Sequence, residues 1–285
     1  MILSVFDRPS RQAFAVATGL FVLTAISVTW TGGPDGPWLA VSLLAILLAH
    51  EMGHYVACRI HGVDCTPPYF IPAPIINPLA GTLGALILIR DRFPSRRALF
   101  DIGIAGPLAG LVVCIPVLVL GVLHAQLVPY QPDLLGEYLG EPLAFQWATR
   151  ALRGPIPDGM TLRIGPFGTA AWFGLFITAL NLMPIGQLDG GHVLYAVLRR
   201  RAYLVARAAW WVCVALIILS PSWIMWAVLT YFIGRPHPRT LDDYVPLGGL
   251  RLALSGVALV AFVLCFTPEP VESSWRLVRV LFGGG

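Results

Sequence analysis

Pro37-Trp38-Leu39-Ala40-Val41-Ser42-Leu43-Leu44-Ala45-Ile46-Leu47-Leu48-Ala49-His50-Glu51-Met52-Gly53-His54-Tyr55 is the stretch that decides how this chain is read. Thirteen residues without a charge run directly into an H-E-x-x-H motif. The apolar run is long enough, continued to Ile60, to cross a bilayer, since about 20 apolar residues span roughly 30 Å of hydrocarbon. On a helix His50 and His54 stand one above the other, so two imidazole nitrogens can reach one metal ion. Glu51 lies about 100 degrees round from His50, placed to touch a water on that metal without being a ligand, which is where a general base belongs. Three ionisable side chains within five positions of a span each cost roughly 2.5 to 3.5 kcal/mol on insertion scales, and a bound metal offsets that cost. The competing structural reading ends the span just before His50 and makes the motif a solvated helix end.

Composition supports the lipid environment. Of the 285 residues 57% are hydrophobic and 12% charged, with a mean hydropathy of +0.76, values that fit a membrane protein better than a soluble domain. All 19 basic residues are arginine, a weak hint of GC-rich coding. They sit in short clusters between apolar segments and form no basic stripe with interleaved aromatics, which argues against nucleic acid as a partner. Five cysteines, Cys58, Cys65, Cys114, Cys213 and Cys265, show no C-x-x-C spacing and are expected to be packing residues.

Outward from the motif, apolar segments at 13–30, 37–60, 102–123 and 167–198 predict the first four spans, and two more fall within 202–266. The expectation is an all-α polytopic membrane protein of six or seven spans, a single integral membrane domain over 1–285 with its catalytic core at about 13–201. Arginines concentrate before the first and third spans and after the fourth, with Arg235 and Arg239 later, which places the N-terminus inside. The intervening segments carry Asp35, Asp133, Glu137, Glu141 and Asp158 against Arg150, Arg153 and Arg163. Between the second and third spans, Ala80-Gly81-Thr82-Leu83-Gly84-Ala85-Leu86-Ile87 reads as a strand, predicting a small membrane-associated β element. Open strand edges cannot face lipid, so it must face protein or water. The 125–166 segment shows no period and is assigned no fold.

A catalytic metal needs a third protein ligand. The fourth span runs into Asn181-Leu182-Met183-Pro184-Ile185-Gly186-Gln187-Leu188-Asp189-Gly190-Gly191-His192. Pro184 and the glycines predict a broken helix, tolerated at membrane depth where it lines a cavity. Asp189 in that break is suited to ligate the metal, and Asn181 to hold a substrate backbone or a developing oxyanion. His192 is expected outside the ligand set, because catalytic sites keep a position open for water. His61, His124 and His237 are expected at solvent or interface, Trp30, Trp38, Trp172, Trp210 and Trp223 in interfacial belts, and Arg97 is expected to pair with Asp101 at i, i+4 spacing.

H-E-x-x-H in an early span with N-x-x-P-x-x-x-x-D-G in a later one resembles the site-2 protease family of intramembrane metalloproteases. The resemblance covers about 13–201, matches both motifs residue for residue, and includes the glycine-rich strand loop. It implies one zinc ion on His50, His54 and Asp189, Glu51 as base, and a sheet in which Gly81, Thr82, Leu83 and Gly84 pair with an unwound substrate. It also implies transmembrane protein substrates cut in regulated intramembrane proteolysis. The location expected is a prokaryotic cell membrane with the active site toward the cytoplasm. The family's frequent PDZ domain finds no room in 125–166. Oligomeric state is not legible. Two other readings compete: a zinc transporter or inactive substrate-binding relative, which would call for further ionisable residues in other spans, and a zinc protease with a downstream glutamate as third ligand, for which Glu137, Glu141, Glu269 and Glu272 are poorly placed.

Overall fold

The computed structural model describes residues 10–73, 80–130, 139–233 and 240–271. Asp133, Glu137, Arg235, His237, Arg239 and Glu272 lie outside the described residues. Helix α1, Arg11–Thr31, starts where the Ser10 hydroxyl accepts from the Ala13 N–H, satisfying one of the unpaired donors of a first turn. A short 3-10 turn, Gly33–Asp35, leads into α2, Gly36–Ile60. Gly62, with φ of +67°, turns the chain back, and the Val63 N–H closes on the Cys58 carbonyl at 2.9 Å. A left-handed glycine just past the last turn is a common helix stop.

Strands β1, Tyr69–Pro72, and β2, Thr82–Leu86, follow as an antiparallel pair with Tyr69 opposite Leu86 and an irregularity between Phe70 and Pro72. Helix α3, Arg96–His124, is capped by the Ser95 hydroxyl on the Ala98 N–H and carries Pro107 and Pro116. Then come β3, Gln126–Pro129, α4, Leu143–Arg153, and β4, Met160–Arg163, which pairs with β3. Helix α5, Pro166–Asn181, is followed by α6, Asp189–Leu198, a 3-10 turn at Arg199–Arg201, α7, Ala202–Leu216, α8, Ser222–Ile233, and α9, Gly249–Cys265.

The chain is mostly helical with two small antiparallel sheets, and three segments are long and apolar enough to cross a membrane: Arg11–Thr31, Gly33–Ile60 and Arg96–His124. Outward-facing Val16, Leu23 and Ile26 on α1 are exposed, as expected of a helix surface solvated by lipid tails. Helices α2, α3 and α5 form the centre, where Ile46, Cys114, Leu118, Ala171 and Leu175 are buried together. All five cysteines are buried and free, in agreement with a packing role. The fourth apolar segment breaks as its proline and glycines require: α5 stops at Asn181 and α6 restarts at Asp189.

Three expectations are corrected. Asp101 does not pair with Arg97; Arg251, at the start of α9, holds it in a two-pronged contact at 2.7 and 2.8 Å, the geometry a guanidinium fork favours. Arg97 donates instead to the Pro246 carbonyl. His61 is partly buried and its Nε2 lies 2.9 Å from the same Asp101 carboxylate. Trp172 and Trp223 are buried, with their indole N–H groups on the carbonyls of Gly140 and Pro268, whereas Trp30 and Trp38 are exposed. The 125–166 segment holds β3, α4 and β4, and Arg153 of α4 donates to the Leu123 carbonyl at the end of α3.

Candidate metal centre

Helix α2 alone brings His50 and His54 to one face, and the break between α5 and α6 delivers Asp189 to it. The Nε2 atoms of His50 and His54 lie 3.2 Å apart, and each is 3.2 Å from Oδ2 of Asp189. Three donors on a tetrahedral zinc at about 2.0–2.1 Å stand roughly 3.3 Å from one another, so the spacing already fits that ion. His50, Glu51 and His54 are 3%, 5% and 7% exposed, and such burial of polar groups requires compensation. The arrangement needs positive charge at its centre, a proton on an imidazole or a metal ion.

The choice is narrowed by what holds His54. Its Nδ1 lies 2.7 Å from the Ile102 carbonyl of α3, an acceptor, so Nδ1 carries the proton and Nε2 is left to bind a metal. Three glycines of α3 make the approach possible. A Cβ on Gly106 would overlap the His54 ring at Nε2, one on Gly110 would come within 3.2 Å of the His50 Cβ, and one on Gly103 within 2.8 Å of the His192 Cβ. The sequence carried this as Gly103-x-x-Gly106-x-x-x-Gly110, a small-residue seam on one helix face, and reading it against the histidines' need for close approach would have found it.

Among the described residues, His50, His54 and Asp189 are the group of three whose ligand atoms converge for a metal. His192 stays out of it, its ring facing Phe93 with centroids 5.4 Å apart. Asn181 is brought in: its Nδ2 lies 3.1 Å from His50 Nε2. The β element lies farther along the same wall. Gly81 is tied to α1 by the Ser27 hydroxyl, which donates to its carbonyl. Thr82 and Gly84 are buried and Leu83 is exposed, and Thr82 donates to the Ile71 carbonyl. None of these four joins the metal group.

Two buried imidazoles and a carboxylate at zinc spacing, with a second carboxylate beside them, form a group that could hold a metal ion. The chain belongs to peptidase family M50, whose model matches residues 38–220 and so covers α2 through α7. It is 31% identical over 240 residues to the probable zinc metalloprotease EGY1, chloroplastic, of Arabidopsis thaliana, which accounts for 81% of this chain and 42% of that protein. It is 30% identical over 248 residues to the probable zinc metalloprotease EGY2, chloroplastic, of Oryza sativa subsp. indica, covering 83% of this chain and 43% of the relative. A third, the probable zinc metalloprotease EGY3, chloroplastic, of the same rice, is 26% identical over 273 residues, 87% of this chain and 45% of the other. The chain thus spans less than half the length of these relatives. No solved structure matches it.

Proposed function

We propose that this chain is an intramembrane zinc metalloprotease that hydrolyses peptide bonds in the transmembrane segments of membrane-protein substrates, in regulated intramembrane proteolysis. The observation that carries the reading is the convergence of His50, His54 and Asp189 at 3.2 Å, with Glu51 buried one residue from the first of them. In this reading those three residues hold one zinc ion, which when bound supplies Lewis acidity toward a water and a peptide carbonyl. Glu51 takes the proton of the attacking water and passes it to the leaving amine. Asn181, in reach of the same volume, donates its amide N–H toward the oxygen on which charge develops. The substrate unwinds and adds as a strand beside Gly81, Thr82, Leu83 and Gly84, and support for this is the single pairing of β2, whose one strand partner among the described residues is β1. Main-chain hydrogen bonding makes such an edge indifferent to side-chain sequence.

The same reading takes α5 with α6 as a broken fourth span and α7 to α9 as the source of the rest, giving six or seven. It places the N-terminus and the metal centre toward the cytoplasm of a prokaryotic cell membrane, on the strength of Arg90, Arg92, Arg96, Arg97 and Arg199 to Arg201. Single-cysteine labelling at Gly36, Ser95 and Asp158 tests it: reaction of Gly36 and Asp158 from outside with Ser95 protected is expected, and the reverse pattern overturns the orientation.

The function is tested by zinc content and cleavage of a model single-span substrate in vesicles, comparing wild type with Glu51→Gln and Asn181→Ala. Glu51→Gln should retain about one zinc per chain and lose cleavage by roughly 10²-fold or more. Asn181→Ala should retain zinc and lose about 10²-fold to 10³-fold in kcat. Zinc binding without cleavage of any tested span by the wild type would move a binding or transport role ahead.

A further inference from the structure

Helix α6 carries Asp189 at its first position and faces α9 across an apolar cleft of about 270 Å³. Small-molecule pockets run from roughly 300 to 1,000 Å³ and orient their ligands with a few polar groups. Among the described residues Ser255 is the one polar side chain lining this cleft, and its hydroxyl already donates to the Leu252 carbonyl at 2.6 Å. Leu182, Val193 and Ala258 are buried within it, whereas Leu198 and Leu259 are exposed, so it opens on the outer surface of the helix pair. From Gly190 to Leu198 its wall follows α6 for about 12 Å, a shape suited to a chain. A ligand held here keeps an apolar stem inside and its polar end outside.

The residues at that outer end are basic. Directly after Leu198 come Arg199, Arg200 and Arg201. Arg199 lies over the ring of Tyr244, in the segment leading into α9, at 4.9 Å, and Arg251 of α9 is held by Asp101. The carboxylate of Asp243 is taken up by Thr240 and Tyr195. Arg200 and Arg201 are exposed and form no ion pair among the described residues, which leaves two positive charges where α6 stops. At its other end the cleft shares a wall with the break that delivers Asp189. Leu182, Pro184 and Gly190 line it, and a Cβ on Gly190 would overlap the Leu182 carbonyl.

We propose that the cleft between α6 and α9 is a lipid site, holding one acyl chain of an anionic phospholipid whose phosphate meets Arg200 and Arg201. Lipid tails are as apolar as the leucines of such a cleft, so the chain supplies fit and the charges supply preference. Basic side chains beside clefts between membrane helices suit anionic headgroups, each contributing about 5-fold in affinity. With the cleft filled, α6 is braced against the break and Asp189 is held in place, so zinc leaves severalfold more slowly. Lipid binding rests on the placement of α6 and α9 in the bilayer and not on proteolysis; the effect on zinc rests in addition on the proposed ligand set.

The experiment mixes the full chain in detergent with phosphatidylglycerol or phosphatidylcholine of equal chain length and counts bound lipid by native mass spectrometry. Wild type is expected to prefer phosphatidylglycerol by about 25-fold, the product of two arginines. Arg200→Gln combined with Arg201→Gln should erase that preference with helicity by circular dichroism unchanged. Ser255→Phe, which fills the cleft from α9, should weaken both lipids alike. A diazirine on the acyl chain should cross-link to peptides covering 182–198 and 255–262. Equal affinity for the two lipids, a preference that survives both variants, or adducts confined to other helices overturns the lipid site. Ser255→Phe that leaves lipid bound but changes which single-span substrates are cut assigns the cleft to a substrate side chain and likewise overturns it. Release of zinc to a chelator at the same rate in both lipids overturns the bracing of Asp189.

Discussion

His54 and Ile102 are joined by a hydrogen bond of 2.7 Å from imidazole Nδ1 to a main-chain oxygen, so helix α3 sets the tautomer of a proposed ligand that it does not itself supply. Such outer contacts typically change metal affinity by about 10-fold to 100-fold when lost. The contact exists because Gly106 leaves room for the ring. Gly106→Ala is expected to weaken zinc binding by at least this range with the helices still formed, as read by chelator competition and circular dichroism on the same sample. Native zinc affinity in Gly106→Ala would show that α3 yields and does not position His54.

Asp189 and His192 share a helix, and Asp189 is the one whose carboxylate converges with the histidine pair. Asp189→Ala should therefore abolish stoichiometric zinc, and His192→Ala should leave it at about one per chain. Metal analysis after dialysis separates the two, and equal losses would put His192 into the ligand set.

Outside the spanning helices, Asp243 accepts from the hydroxyls of Thr240 and Tyr195 at 2.6 and 2.9 Å. Burial pushes its carboxyl up, but these hydrogen bonds outweigh it, and the pKa lies below the ordinary 3.8. The folded value is depressed, so the stabilisation is complete above the unfolded value and is lost as pH falls through the folded one. Docking of the segment around Asp242 onto Phe93, Pro94 and Arg96 should loosen below about pH 3.8, seen as faster protease nicking there. Asp243→Asn should nick at the same rate on both sides of that pH.

The convergence of His50, His54 and Asp189 was legible from sequence because each of its parts is a local consequence of chain geometry. Four-residue spacing aligns His50 with His54, and Pro184 with the following glycines forces the break that frees Asp189. What sequence reading missed depends on partners far along the chain. Asp101 looked paired to Arg97 by helix spacing, yet the fork of Arg251, 150 residues away, fits its carboxylate better. The β3 and β4 strands are four residues each and meet only across α4, too short to show a period of two. Ile102 acts through its main-chain carbonyl, which leaves no mark on residue identity.

The capping of α3 at both ends also works as a gauge of depth. Ser95 fixes its start and Arg153 meets its last turn, and at 1.5 Å per residue Ile102 stands about 9 Å above Arg96 and about 33 Å below His124. Because Ile102 holds His54, the depth of the candidate metal site is set by arithmetic along one helix, close to the end that carries Arg96 and Arg97. Under the proposed function, a substrate threaded beside it is sorted by how far its extended portion sinks, with its letters of secondary importance.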